Sequence, residues 1–271
     1  MRKSNVSRNV RCAALAIGIG LLTATWLTGA NGHVGAQVTN DQNDWLDLAL
    51  EQDRAQQPAQ ASQTEKKAEE VYKNIQVLKG IPASRVMGAM TRISGFLGVE
   101  CTFCHVEGDF EKDEKKPKET ARTMFKMVRT IATELGNGKV TCYTCHRGHQ
   151  EPERMPAELR AQADEANKKA ADDKRPVEEA FKNIQSLKGV TAGQLMATMG
   201  NFTRSLGVEC NFCHVPGAFE KDDKQNKITA RKMLAMTGVV AKEYFNGRPR
   251  INCYVCHRGR HEPVNMPATP Q

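Results

Sequence analysis

The pattern C-x-x-C-H occurs four times in this chain and limits what it can become more than any other feature. The copies are Cys101, Cys104 and His105; Cys142, Cys145 and His146; Cys210, Cys213 and His214; and Cys253, Cys256 and His257. The pattern is the attachment signature of c-type haem. Two thiols add across the haem vinyl groups as thioethers, and the adjacent histidine is held where its imidazole reaches the iron. Two intervening residues let one helical turn present both sulfurs to the same edge. With 9 Cys and 7 His in 271 residues, chance accounts for on the order of 0.01 such patterns. A four-cysteine zinc site gives no reason for His after the second Cys every time. A redox dithiol needs a surrounding βαβ pattern, and none is visible. The expectation is four covalently bound haems c.

The N-terminus reads as an export signal. Arg2, Lys3, Arg8 and Arg11 precede an apolar stretch from about residue 12 to 27, and small residues follow, with Val34, Gly35 and Ala36 as a plausible cleavage site. An uncleaved membrane anchor is the alternative reading of the same stretch. Export to the periplasm agrees with haem attachment outside the bacterial cytoplasm. The four basic and no acidic residues of 1–36 carry half of the formal +8 charge. Eight haem propionates offset the rest, so the basic balance gives no reason to expect a nucleic-acid partner. Aromatic residues are only 6%, thin for a side-chain core, but haems are large apolar bodies that supply buried surface themselves.

The chain also repeats itself. Tyr72, Lys73, Asn74, Ile75 and Gln76 return as Phe181, Lys182, Asn183, Ile184 and Gln185; Leu97, Gly98, Val99 and Glu100 return as Leu206, Gly207, Val208 and Glu209. The copies stand about 110 residues apart, which reads as a duplicated two-haem unit. The expected organisation is a signal peptide over 1–36, a polar flexible segment over 37–64, unit 1 over 65–156, a charged helical linker over 157–177 and unit 2 over 178–271. In each unit, apolar spacing predicts helices. The first covers 65–79 and stops at Gly80 ahead of Pro82. The second covers about 84–97 with Val86, Met90, Ile93 and Leu97 on one face. The third covers about 121–135, with Thr120 and Thr229 as N-caps in the two copies. The Lys/Asp runs 112–118 and 221–227 read as solvated loops or a docking face.

His105, His146, His214 and His257 fill one axial position at each iron. Three other histidines, His33, His149 and His261, cannot supply four partners. Methionine is the other common distal ligand, and 11 are present. Met90 and Met199 stand at matched places before the first motif of each unit; Met124 and Met233 stand before the second. Met87, Met196, Met127 and Met236 are neighbours on the same helices, where a methionine is more often core filler. The expected metal ligands are therefore the four motif histidines with Met90, Met124, Met199 and Met233. His149 and His261 remain alternatives at the fourth iron. Arg147 and Arg258, next to their motif histidines, suit carboxylates such as propionates.

A helix, a turn and C-x-x-C-H with a helix-borne methionine resembles the tetrahaem cytochrome subunit of photosynthetic reaction centres. The shared pieces are Leu206 to His214 as a run, Ala121, Arg122, Thr123, Met124 and Met127, and Val140 to Gly148 as a run. The resemblance covers about 70–156 and 178–267. It implies a mainly helical fold, two pseudo-symmetric haem pairs and mostly His/Met ligation, with Met90, Met124 and Met199 where the family's methionine ligands fall. The family's extra histidine before the second motif has no counterpart between residues 132 and 139.

The expected fold class is mainly α: a multihaem cytochrome c of two helical units packed around four haems, with little or no sheet. The expected function is electron transfer between redox partner proteins, a membrane electron-transfer complex among the candidates, in a respiratory or photosynthetic chain. The chain is not expected to be an enzyme or to take a small-molecule substrate. The alternative is a multihaem enzyme with one five-coordinate haem, acting on peroxide or nitrogen oxides.

Overall fold

The computed structural model describes residues 65–135 and 139–267. The expected signal peptide and polar segment, 1–64, lie outside them. In chain order the elements are α1 (Ala68–Val71), α2 (Arg85–Leu97), α3 (Cys101–Cys104), α4 (Lys116–Leu135), α5 (Cys142–His146), α6 (Ala157–Ala170), α7 (Val177–Ala180), α8 (Ala192–Leu206), α9 (Cys210–Cys213), α10 (Gln225–Tyr244) and α11 (Cys253–His257). Among the described residues there is no β-strand, only isolated bridges such as Lys67 with Pro82 and Pro176 with Thr191. The protein is mainly α, as its sequence pattern implies. No described helix is long and apolar enough to cross a membrane.

The helix expected over 65–79 is only the single turn α1. Tyr72 turns extended and Asn74 enters the left-handed region at φ 58°. Asn74 is held there because its side-chain amide donates to the carbonyl of Glu111 and to Asp113 Oδ1 at 2.9 Å. An Asn tolerates this conformation better than most residues. The strand-like return is pinned by Ala68 N–H on Ile81 O (2.8 Å) and Gly80 N–H on Glu69 Oε2 (2.8 Å). This folded loop delivers Leu78, 2% exposed, to the core. Asn183 repeats the left-handed turn at φ 58°.

The third helix of each unit starts earlier than its sequence suggested, at Lys116 and Gln225. Thr120 is inside α4, with its hydroxyl donating back to Lys116 O at 3.2 Å, so it is no N-cap. Pro117 lies in the first turn, where its missing N–H costs no helical bond. Thr229 likewise lies inside α10. A true capping box opens α8: Thr191 Oγ1 accepts from Gln194 N–H, and Gln194 Oε1 accepts from Thr191 N–H.

Helices α4 and α10 pack together. Phe125, Met127, Val128 and Ile131 of α4 bury with Met236 and Val240 of α10, alongside Leu78, Ile81, Val86 and Ala89. Val240 is 1% exposed, and burying a side chain of this kind contributes about 1.5–3 kcal/mol. Thr130 and Tyr244 join their hydroxyls at 2.7 Å across the same seam. The linker helix α6 packs closely on α8, burying Ala163, while its charged side chains stay exposed. A Cβ on Gly193 would fall 1.6 Å from Ala170 O, so glycine permits the approach.

Candidate haem sites

Each unit ties the end of one helix to the turn after its second motif. Gly98 ends α2 in the left-handed conformation (φ 62°), with Val99 N–H reaching back to Ser94 O at 3.1 Å, a Schellman closure. A Cβ there would lie 2.1 Å from Gly148 O, and Gly148 N–H donates to Phe96 O at 2.8 Å. Gly207 repeats the arrangement with Gly259, also at 2.1 Å, and Gly259 N–H donates to Ser205 O. Because Cys101 follows Gly98 closely and Gly148 follows His146, these contacts tie the approach to the first motif to the turn leaving the second.

The first motif of each unit is one helical turn, α3 or α9, with its cysteines at i and i+3. The histidine after it is extended: His105 has φ −110° and His214 φ −114°. A short loop then folds back under the ring. Val106 pairs with Asp109 around Gly108, and Val215 pairs with Ala218 around Gly217. The loop's carbonyls meet the imidazoles: His105 Nδ1 lies 2.9 Å from Phe110 O and His214 Nδ1 lies 3.1 Å from Phe219 O.

The second motif is solved differently. In α5 and α11 the histidine is helical, and the next residue, Arg147 or Arg258, takes a left-handed conformation at φ 49° or 48°. The turn brings His149 O to 3.0 Å from His146 Nδ1 and Arg260 O to 2.9 Å from His257 Nδ1. A carbonyl only accepts, so all four rings carry their proton on Nδ1. The Nε2 lone pair is then free for a metal, the tautomer that ligating histidines hold. Burial also lowers the pKa of His146 and His257, favouring the neutral form that ligates.

Burial pushes the thiols of Cys104, Cys213 and Cys253 up, and that of Cys142 up to about 11. A reactive redox dithiol shows the opposite shift, which among these thiols only Cys256 has, lowered chiefly by its contact with Cys145. Cys145 is pushed up by its neighbour Cys256 and by burial. Among the described residues, no group of three or more His, Cys, Asp or Glu forms a cage for a bare metal ion.

The methionines sort by place. Met90, Met124 and Met233 are half-buried at the margin of the core, and Met199 is half-buried on α8. Met127 and Met236 are buried in the α4–α10 seam, and Met87 and Met196 are 60% and 54% exposed. Helix α4 packs on α3, and α10 on α9, while α2 packs on α5 and α8 on α11. His149 and His261 are exposed, and the His261 ring lies 5.3 Å from that of Phe212.

The donor set fits haem c. The sulfurs, the oriented imidazoles and the half-buried thioethers are its ligand types, and the exposed Phe110 and Phe219 rings lie 5.4 and 5.3 Å from those of His105 and His214. Arg147 and Arg258 keep buried Nε–H groups without a partner, suited to carboxylates. Their Nη2 groups are used otherwise, donating across the units to Cys256 O (3.1 Å) and Cys145 O (2.8 Å).

The Lys/Asp runs hold residues that sequence reasoning missed. Lys118 and Lys227, read as part of solvated loops, are 8% and 9% exposed. Lys118 Nζ donates to Phe110 O (2.8 Å) and Lys112 O (2.7 Å) and pairs with Asp113 at 3.0 Å. Lys227 Nζ donates to Phe219 O (2.8 Å) and Lys221 O (2.8 Å) and pairs with Asp222 at 3.0 Å. Arg122 and Arg231 close the same carboxylates at 2.9 Å. Asp113 and Asp222 are accordingly held well below the usual carboxylate range, chiefly by those arginines and then by Asn74 or Asn183 and the lysines. The signal was available: Asp, Lys and Arg recur at one spacing in both units, as Asp113, Lys118, Arg122 and Asp222, Lys227, Arg231.

Helical scaffold, paired thiols and oriented imidazoles define a multihaem c-type cytochrome. Comparison with known proteins agrees. The family described as photosynthetic reaction centre cytochrome C subunit matches residues 23–171 and again 153–271. The chain belongs to that family. It is 26% identical over 265 aligned residues to the photosynthetic reaction center cytochrome c subunit of Thermochromatium tepidum, covering 78% of this chain and 66% of that one. It is 25% identical to the subunit of the same name from Roseobacter denitrificans, covering 93% and 85%. It is also 38% identical over 82 residues to cytochrome c-554 of Chloroflexus aurantiacus, covering 27% and 20%.

Proposed function

We propose that the chain is an exported electron carrier that holds four covalently attached haems c and passes electrons to a membrane-bound redox partner. The observation that carries this reading is the recurrence of one device at all four motifs: a backbone carbonyl on Nδ1 that leaves Nε2 free to bind iron. Two loop designs reach the same end, which marks it as functional rather than a by-product of one turn. Bound haem iron supplies a one-electron couple. The protein's own residues tether it through Cys101, Cys104, Cys142, Cys145, Cys210, Cys213, Cys253 and Cys256, and orient it through His105, His146, His214 and His257.

Met90, Met124, Met199 and Met233 are the proposed distal ligands. Their half-buried placement supports this, since Met127 and Met236 are engaged in the core. Thioether ligation by these residues would favour a relatively high potential and leave no position open to a substrate, which supports conduction rather than catalysis. The proposed organisation is two units, 65–156 and 178–271, joined through 157–177. The repeated order of helix, motif, helix, motif supports it. The crossed bonds of Arg147 and Arg258 favour passage between the units through their second motifs. The periplasm is the proposed location, on the strength of the N-terminal export pattern. The reaction-centre names of the relatives support a membrane complex as partner.

The test is a redox titration of the purified, exported protein followed by visible absorbance. Four one-electron couples of low-spin haem c, unchanged by carbon monoxide, are expected. A carbon monoxide complex at any haem in the reduced native protein would overturn the carrier reading at that site.

A further inference from the structure

We propose that Lys118 and Lys227 are redox-tuning residues: each buried ammonium shares the carbonyl that holds the ring of His105 or His214, and raises the reduction potential of the haem on that histidine. The inference rests on the haem reading given above. Phe110 O accepts from His105 Nδ1 at 2.9 Å and from Lys118 Nζ at 2.8 Å. Phe219 O accepts from His214 Nδ1 at 3.1 Å and from Lys227 Nζ at 2.8 Å. The arrangement is built twice by the same elements, although the loops differ in sequence.

Two effects act in the same direction. A proximal histidine whose Nδ1–H is drawn strongly toward an acceptor becomes a more basic ligand and favours the ferric state. A lysine ammonium on the same oxygen takes up part of the carbonyl's electron density and weakens that pull. The ammonium's own charge also favours the state with one more electron on the iron. Both effects are large only where water is excluded, and both lysines are buried. The second motif of each unit holds its ring through a different carbonyl, on a tight turn after the histidine. The tuning is therefore specific to the first motif of each unit.

The counter-ions set how much of each charge is felt. Asp113 and Asp222 each face one lysine and one arginine. In unit 1 a second carboxylate, Glu119, lies 3.2 Å from Arg122. Ile228 stands at the matched place in unit 2. The cluster beside His214 thus carries one net positive charge more than the one beside His105.

The test is a spectroelectrochemical titration of the full haem-loaded protein and two variants in unit 1, Lys118→Met and Asp113→Asn. Lys118→Met is expected to lower one potential of the four, by on the order of tenfold in the one-electron equilibrium constant, about 59 mV. Asp113→Asn leaves the ammonium less compensated and is expected to raise the same potential. Lys227→Met is expected to lower a different one. If Lys118→Met leaves all four potentials in place, or if both unit 1 variants move the potential the same way as a merely loosened loop would, the proposal fails. Fewer than four haems in the unsubstituted protein would instead overturn the haem reading beneath it.

Discussion

The sulfur of Cys145 lies 2.9 Å from that of Cys256, so the second motifs of the two units meet edge to edge. The contact is framed by Arg147 Nη2 on Cys256 O and Arg258 Nη2 on Cys145 O, with Arg258 also reaching Glu153 at 3.1 Å. Each unit thus supplies a guanidinium to the motif of the other, although burial and mutual repulsion oppose the pairing and lower the pKa of Arg147. Crossed donation of this kind holds the two second motifs together.

Removing one arm should be costly. Arg147→Ala strips a charged donor from a part-buried carbonyl, a loss of about 1.5–3 kcal/mol. Arg147→Ala with Arg258→Ala should cost more than the sum of the two, because each single substitution relieves the same like-charge contact and the double variant gains that relief only once. Denaturant unfolding of the haem-loaded protein measures both, and strict additivity would show that the two arms act independently.

Glycine is required at Gly98 for two reasons and at Gly108 for one. Both have positive φ, but a Cβ on Gly98 would meet Gly148 O at 2.1 Å while one on Gly108 meets nothing within 4 Å. Gly108→Ala should therefore lower stability by about 1–2 kcal/mol, the left-handed cost alone. Gly98→Ala should lower it by clearly more, since backbone must move. Thermal unfolding of the two variants side by side decides it; equal losses would mean the helix end is not pinned to the turn.

The methionines on one helix face should separate in their effects. Met124→Leu should lower the potential of one haem, because a thioether ligand is lost. Met127→Leu, in the α4–α10 seam, should leave every potential in place and cost less than about 1.5 kcal/mol of stability. Met90→His should keep haem bound and lower one potential, whereas Met87→Leu on the exposed face should change neither. Redox titration with denaturant unfolding reads all four; a silent Met124→Leu would make Met124 a packing residue.

Acid should loosen the loops under His105 and His214. Asp113 and Asp222 have folded pKa values depressed below their unfolded ones. Their stabilisation is complete above the unfolded value of about 4 and is lost as pH falls from there through the folded value. The unfolding midpoint of the native protein should exceed that of Asp113→Asn at neutral pH, and the gap should narrow below about pH 4. A gap that stays constant through that range would mean the carboxylate's ionisation does not hold the loop.

Much of this fold was legible in the sequence because covalent chemistry imposes a spacing. The four C-x-x-C-H motifs and the periodic faces of α2 and α8 give the helical class directly. What was not legible came from side chains acting on backbone at long range. Residues 65–79 have helical periodicity, yet the helix ends at Val71, and beyond it Asn74 is held in a left-handed turn by Glu111 and Asp113, far along the chain. Thr120 has the chemistry of a cap, but the helix starts a turn earlier, at Lys116, as its copy does at Gln225. Lys118 and Lys227 look like solvated charge, and only the carbonyls and carboxylates converging on them account for their burial. Repetition was the remaining clue, since a spacing kept in both units marks residues that act together.

The most direct measurement is the intact mass of the protein purified from the compartment to which it is exported. The account requires a mass above that of the polypeptide by four haems, with all four retained under denaturing conditions because the bonds are thioethers. A polypeptide of bare mass, or one that loses its colour on denaturation, would contradict it.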